Sequence, residues 1–366
     1  MKIDLHTFER TSSFYKPKAF LITVKSFEMQ KIRERYLISR KRKDGRVGSV
    51  ERRETARGGL VYVEIEKGLI THYEILSFLP EPRGIDVAGD MIAVSTENVV
   101  HLVKENSVER IDDPWFSYIH TVQFNHCHAP DRLLVSSSGY DCIFEYDLNT
   151  YKRSWEWFAW EHGFNRGFNP ETQKEVVLTR MKKEARLLKE AGQDHIHISD
   201  PTKQTLPTAM RAAFINSVTY DCKARDHLLA TFFHEGAVYR INMSDGNVKC
   251  IIDGLKSPHG GRNYGDIYMA TSTATGEIVL SDGRRISFSG LGGKPDELSD
   301  LEWLQNSAPF GDCIITIDAN RNSFILTDLA NRQYDIIHVD PDWAIQDIAE
   351  VGNESKALVN KIKEVL

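Results

Sequence analysis

Histidine, arginine and asparagine recur at one place in a repeated pattern, and that place is where chemistry is expected. The pairs are Arg83-Gly84, His120-Thr121, Asn216-Ser217 and His259-Gly260, with a fifth copy somewhere within Trp303 to Asn306. Imidazoles serve as acids, bases or metal ligands near neutral pH. A guanidinium grips carboxylate, phosphate or sulfate with two parallel hydrogen bonds. His120 and His259 are therefore the first catalytic candidates, and His234, next to Glu235, is the third. Arg83 is the candidate for holding an anion. Asn216, Ser217, Tyr140 and Arg262 complete the substrate-binding set. His120, His234 and His259 could instead hold a divalent metal; three neutral imidazoles favour iron or zinc over calcium. Gly260 and Gly261 would let a substrate approach the backbone. Each residue also has a plain reading: histidines bonded to neighbouring strands, an arginine closing a turn, a polar channel filled with water.

Other groups carry weaker signals. His126-Cys127-His128 resembles a metal site, yet side chains at i and i+2 seldom converge on one ion. Asp194-His195-Ile196-His197 could bind zinc or iron with a third ligand nearby; the plain alternative is a strand with one polar side. Residues 27–57 hold 11 Lys/Arg against 5 Asp/Glu, which suits either a solvated face or an arm for a negatively charged partner. Tyr36 is the only aromatic residue in 31–57, so base stacking has little support. There is no Walker loop, no GxSxG elbow and no HExxH. Five cysteines, an odd number with no CxxC spacing, argue against a disulfide framework and for small buried hydrophobes.

These residues need a scaffold that brings distant positions together. FSYIHTVQFN followed by RLLVSSSGYDCIFEYDL runs parallel to AAFINSVTYD followed by HLLATFFHEGAVYRINM for about 30 residues. Shorter copies lie at 82–103, 257–282 and 306–329, and AFLITVKS, LVYVEIE and LITHYEIL supply strands of one more. Six units of four short strands predict an all-β fold: a six-bladed β-propeller, in which stacking buries both faces of each unit. A pair of β-sandwiches is the alternative. One propeller domain would span 1–350, with a tail over 351–366 containing a short helix. Insertions fall at 27–57, a basic loop, and at 161–211, with a helix over 170–191 capped by Asn169 and ended by Gly192. Strand alternation places both insertions on one face, together with the starts of the innermost strands and the turns holding Asn98, Tyr140, His234 and Thr273. Long loops are usually kept for function, so this face should hold the site.

PRGIDVAGDMIAVST, INSVTYD and SPHGGRNYGDIYMATST resemble the six-bladed calcium-dependent propellers of the gluconolactonase and strictosidine synthase-like group. That resemblance implies a metal held at the axis by Glu, Asn and Asp. Asn216 fits, whereas no acidic residue stands at the aligned starts of blades 2 to 5. DPWFSYIHTVQFN and FINSVTYD with its FFHEG turn are similar to arylsulfotransferase propellers. Those place several histidines and an arginine at the axis, which implies roles for His120, His234, His259 and Arg83. Phe233 stands where that family has an arginine.

Composition bounds the function. The 366 residues are 41% hydrophobic and 27% charged with a net charge of −6, so the chain is globular and no overall positive field would gather nucleic acid. No transmembrane run or secretory-type leader is visible, which points to the cytoplasm. The reading is an enzyme acting on a small anionic organic molecule in an axial pocket. The alternative is a non-enzymatic scaffold that binds a partner through the same face and its basic arm.

Overall fold

The computed structural model describes residues 1–40, 48–51, 54–105, 107–352 and 355–366. Its β-branched and aromatic runs are too short to stand alone and are apolar on both sides, so each sheet needs a neighbour on either face. Among the described residues they form six sheets of four or five strands and one of three. The innermost strands are Ile85–Ala88, Ile119–Phe124, Ile215–Tyr220, Pro258–Tyr264, Leu304–Phe310 and Ile345–Glu350. Each touches the next and the last touches the first. The six larger sheets are thus blades of a β-propeller, as the repeat predicts.

A buried apolar cluster fills each gap between neighbouring blades. Strand alternation does the sorting. In Lys18–Val24, Phe20, Ile22 and Val24 pack towards blade 6, while Leu21 packs towards blade 2. At roughly 1.5–3 kcal/mol per buried large apolar side chain, these interfaces dominate the folding energy.

Ring closure comes from the chain ends. Blade 1 takes its innermost strand, Ile345–Glu350, from the far end of the chain, paired antiparallel with Lys18–Val24. The N-terminal strands Lys2–Asp4 and Glu9–Arg10 add parallel fifth strands to blades 5 and 6. Helix α1, Met29–Arg40, opens the basic insertion and packs Met29 and Ile32 against Trp303. Residues 41–47, 52 and 53 of the supposed arm lie outside the described residues.

The second insertion corrects the expected 170–191 helix. Its first half is a hairpin of Arg166–Asn169 and Lys174–Thr179, and helix α2 covers only Lys182–Glu190. Asn169 Oδ1 accepts the N–H groups of Glu171 and Thr172 at 2.9 and 3.3 Å, closing a turn instead of capping a helix. The following Val176-Val177-Leu178-Thr179 run favours a strand. Gly192, at φ 66°, does end the helix. The two insertions meet: Ala209 N donates to Ser49 O at 3.0 Å. Helix α3, Lys356–Val365, seats Leu358, Val359 and Ile362 in the cluster between blades 1 and 2.

The cysteine expectation is also corrected in part. Cys127 and Cys222 form a disulfide, Cα–Cα 5.2 Å, between chain positions 95 apart. They sit in turns of blades 3 and 4, partners that only the ring brings together. Cys142 and Cys313 are buried thiols, whereas Cys250 is exposed. No helix of the described residues is long and apolar enough to cross a membrane.

Candidate functional site

The same local irregularity opens the innermost strand of most blades. Pairing with the second strand skips His120, Asn216, Gln305 and Gln346 in blades 3, 4, 6 and 1, and Gly260-Gly261 in blade 5. A bulge of this kind re-aims the side chain of the extra residue. The residue leading into the strand is strained as well. Glu81, Tyr118, Phe214 and Ser257 all have φ between 46° and 52°, left-handed values that are rare outside glycine and gather at functional sites.

The result is a hydrogen-bonded belt around the axis. Arg83 Nη1 lies 3.2 Å from His120 Nε2, joining blades 2 and 3. Thr121 Oγ1 donates to Asn216 O at 3.2 Å, and Asn216 Nδ2 donates to Pro258 O at 2.7 Å. Arg262 Nη2 donates to Asn306 Oδ1 at 3.3 Å, and Asn306 Nδ2 to Asp347 Oδ1 at 2.9 Å. Ile85 N closes the circle on Asp347 Oδ2 at 3.4 Å. Inside the belt lies a cavity of about 240 Å³, bordered by residues of all six innermost strands. It could hold about eight waters at ~30 Å³ each.

The environment sets the charge of each group. A guanidinium can only donate, so Arg83 makes His120 Nε2 an acceptor and leaves Nδ1–H for Tyr118 O, 3.3 Å away. Burial first, then the charge of Arg83, pushes His120 well below its usual pKa. His259 Nδ1 lies 2.8 Å from Thr273 Oγ1, and burial, with Lys25 nearby, pushes its pKa down to about 3. Asp347 moves the other way: burial lifts it to about 6 against the opposing pull of Arg262. The cavity thus joins neutral imidazoles to a carboxyl that titrates near neutrality.

His120, His259, Asn216, Ser217 and Arg262 all border the cavity. Arg83 is one layer removed, buried and ion-paired with Glu81 at 2.5 Å. His234 lies outside, its Nε2 3.1 Å from Thr208 O. Tyr140 is fully buried in blade 3, where its hydroxyl lies against the carbonyls of Pro201 and Gln204 and can donate to either. Gln305 and Asn306 border it too and fall within the Trp303–Asn306 range expected for the fifth copy, whereas Gln346 and Asp347 were not picked out from the sequence. A signal for the last two exists: Ile345-Gln346-Asp347 repeats the Ile215-Asn216-Ser217 and Ile119-His120-Thr121 pattern.

The residues do not fit a metal. Among the described residues no three His, Cys, Asp or Glu side chains are grouped to hold one. The lone pair of His120 Nε2 faces Arg83, and His234 is engaged elsewhere. Asp347, beside Arg262, already accepts N–H groups from Asn306, Ile348 and Ile85. In the His126-Cys127-His128 triplet, His126 bonds Asp86, Cys127 is in the disulfide and His128 lies 3.2 Å from Asp221 O. His195 forms part of a short strand, with Nδ1 2.9 Å from Gln193 O.

No protein-family model matches the chain, and no curated protein matches its sequence. Solved structures do share its fold. A chain of a nidogen/laminin complex is 10% identical with a TM-score of 0.52, covering 91% of this chain and 98% of that one. A protein of unknown function from Bacteroides caccae is 11% identical with a TM-score of 0.51, covering 92% and 99%. A virginiamycin B lyase from Staphylococcus aureus is 10% identical with a TM-score of 0.41, over 71% of each chain. At these identities the likeness concerns the fold alone.

Proposed function

We propose that the protein is an enzyme whose substrate, a small anionic organic molecule, sits in the axial cavity. The observation that carries this reading is the convergence of His259, Arg262 and Asp347, from blades 5 and 1, on one polar space at the axis. Groups pushed apart in pKa within one pocket are the usual mark of acid–base work. Asp347, lifted to about 6, can hold or release a proton near neutrality. His259 is neutral when the cavity lacks an anion; a bound anion would offset part of its burial cost and raise its proton affinity. Arg262 would orient the anion. Hydrolysis, elimination and group transfer are all compatible with this set.

The test incubates the purified protein with a mixture of small carboxylates and phosphate esters and follows each by mass spectrometry. One class should be consumed by the wild type and spared by His259→Gln and Asp347→Asn. If no member is bound or consumed, the reading fails.

A scaffold role is the second reading. It is favoured by Leu69, Tyr73 and Phe78, which are 67, 54 and 52% exposed on the outermost strand of blade 1. The gluconolactonase-like resemblance stays a proposal at the level of blade pattern, without its metal. The Cys127–Cys222 bond is of a kind kept in oxidising compartments, and it weighs against the cytoplasm.

A further inference from the structure

Neither insertion borders the axial cavity. Both border a second, more open pocket of about 330 Å³ beside Lys25 of blade 1 and Trp303 of blade 6. One wall is helix α1. Its buried Arg33 donates to Ala319 O, Asn320 O and Asn322 Oδ1 at 2.9, 3.1 and 2.8 Å, which fastens the helix to blade 6. Tyr36 lies over Trp303, with ring centroids 4.3 Å apart and planes 30° apart. A second wall is residues 48–50, tied to the other insertion by the bond from Ala209 N to Ser49 O. At Gly48, φ 115°, a Cβ would fall 2.5 Å from Thr208 Cγ2, so glycine permits this close approach.

The lining has two characters. Ile32, Ile38 and Val50 are apolar, and the last two remain 67% and 38% exposed. The bordering residues that carry charge at neutral pH are Lys25 and Arg35, both cations.

We infer that this pocket binds a small aromatic carboxylate. A ring extends the Tyr36–Trp303 pair through edge or offset contacts and covers Ile38 and Val50. The carboxylate meets Lys25 and Arg35, and a guanidinium matches it with two parallel hydrogen bonds. The volume is at the low end of the ~300–1,000 Å³ usual for small-molecule sites, which suits a fused-ring acid. A neutral arene gives the cations no partner, and a straight-chain acid gives the rings no flat face. The pocket shares no bordering residue with the axial cavity, so it is a separate site and does not depend on catalysis there.

The probes are 2-naphthoate, its neutral counterpart 2-naphthalenemethanol, and decanoate, each titrated into the full chain by calorimetry at neutral pH. 2-Naphthoate should bind at least ten-fold more tightly than either of the others. Arg35 and Ile38 are exposed, so Arg35→Gln and Ile38→Glu should melt like the wild type. Each should weaken 2-naphthoate at least ten-fold, and Arg35→Gln should leave 2-naphthalenemethanol unchanged. No binding of 2-naphthoate, or binding undiminished in both variants, would overturn the inference. Equally tight binding of 2-naphthalenemethanol or decanoate would overturn the class of ligand assigned. All of these failures leave the axial reading intact.

Discussion

The imidazoles and the carboxylate of the axial site are built on opposite principles. His120 and His259 sit among Arg83, Arg211 and Lys25, and their polar atoms largely have protein partners. Asp347, Asn306 and Arg262 form a chain of bonds across blades 5, 6 and 1. Burial keeps the first group neutral, whereas it lifts Asp347 into the range where a proton can be held or released. The histidines that stand out in the sequence are therefore the settled part of the site. The carboxylate, which does not stand out, is the part that titrates near neutrality.

Perturbing the belt at Arg262 should cost most. Arg262→Met leaves Gly260 O and Asn306 Oδ1 without their charged donor and Asp347 without a nearby cation, which should lower unfolding stability by about 3–5 kcal/mol in urea titrations. If the variant is as stable as the wild type, Arg262 does not organise the belt. Next in size is the tie between the turns of blades 3 and 4. Replacing Cys127 and Cys222 by serine frees a 95-residue span and should cost about 2–4 kcal/mol. A reducing agent should destabilise the wild type to the level of that variant and leave the variant unchanged.

The pH response separates the imidazoles from the carboxylate by sign. His259 falls from 6.5 to about 3 on folding, so its stabilisation is complete above pH 6.5 and is lost as pH drops towards 3. Asp347 rises from 3.8 to about 6, so its contribution is complete below pH 3.8 and is lost as pH climbs through 6. At 1.36 kcal/mol per unit these are roughly 5 and 3 kcal/mol as upper limits. The buried His120 adds to the first effect. Stability should thus fall on acidification between pH 6.5 and 3, by about 2 kcal/mol once solvent screening is allowed for. His259→Gln should flatten that slope, and Asp347→Asn should steepen it. The reverse pair of slopes would contradict the assigned environments.

The ring was legible because a propeller writes its geometry as repetition. Ile119-His120-Thr121 and Ile215-Asn216-Ser217 share spacing and flanking strands, and the fold sets them side by side, as expected. The closing strand was harder, since its partner Lys18–Val24 lies at the opposite end of the chain and neither half looks incomplete alone. Asp347 was overlooked for that reason. The 166–179 hairpin was misread because Asn169-Pro170 serves helix starts and turns alike, and only the strand propensity of 176–179 tips the balance. The disulfide left no trace in cysteine spacing, which cannot report on neighbours made by ring closure. His234 and Tyr140 show the limit of placing a residue on the right turn: the turn is where expected, but each side chain is already claimed by a backbone carbonyl.

The most direct test of the account is a crystal structure of the full chain grown with the small carboxylate or phosphate ester that the mass-spectrometric screen identifies. The account places the anion in the axial cavity, within hydrogen-bond reach of Arg262 and beside His259. A ligand bound elsewhere on the molecule, with the cavity holding water alone, would contradict it.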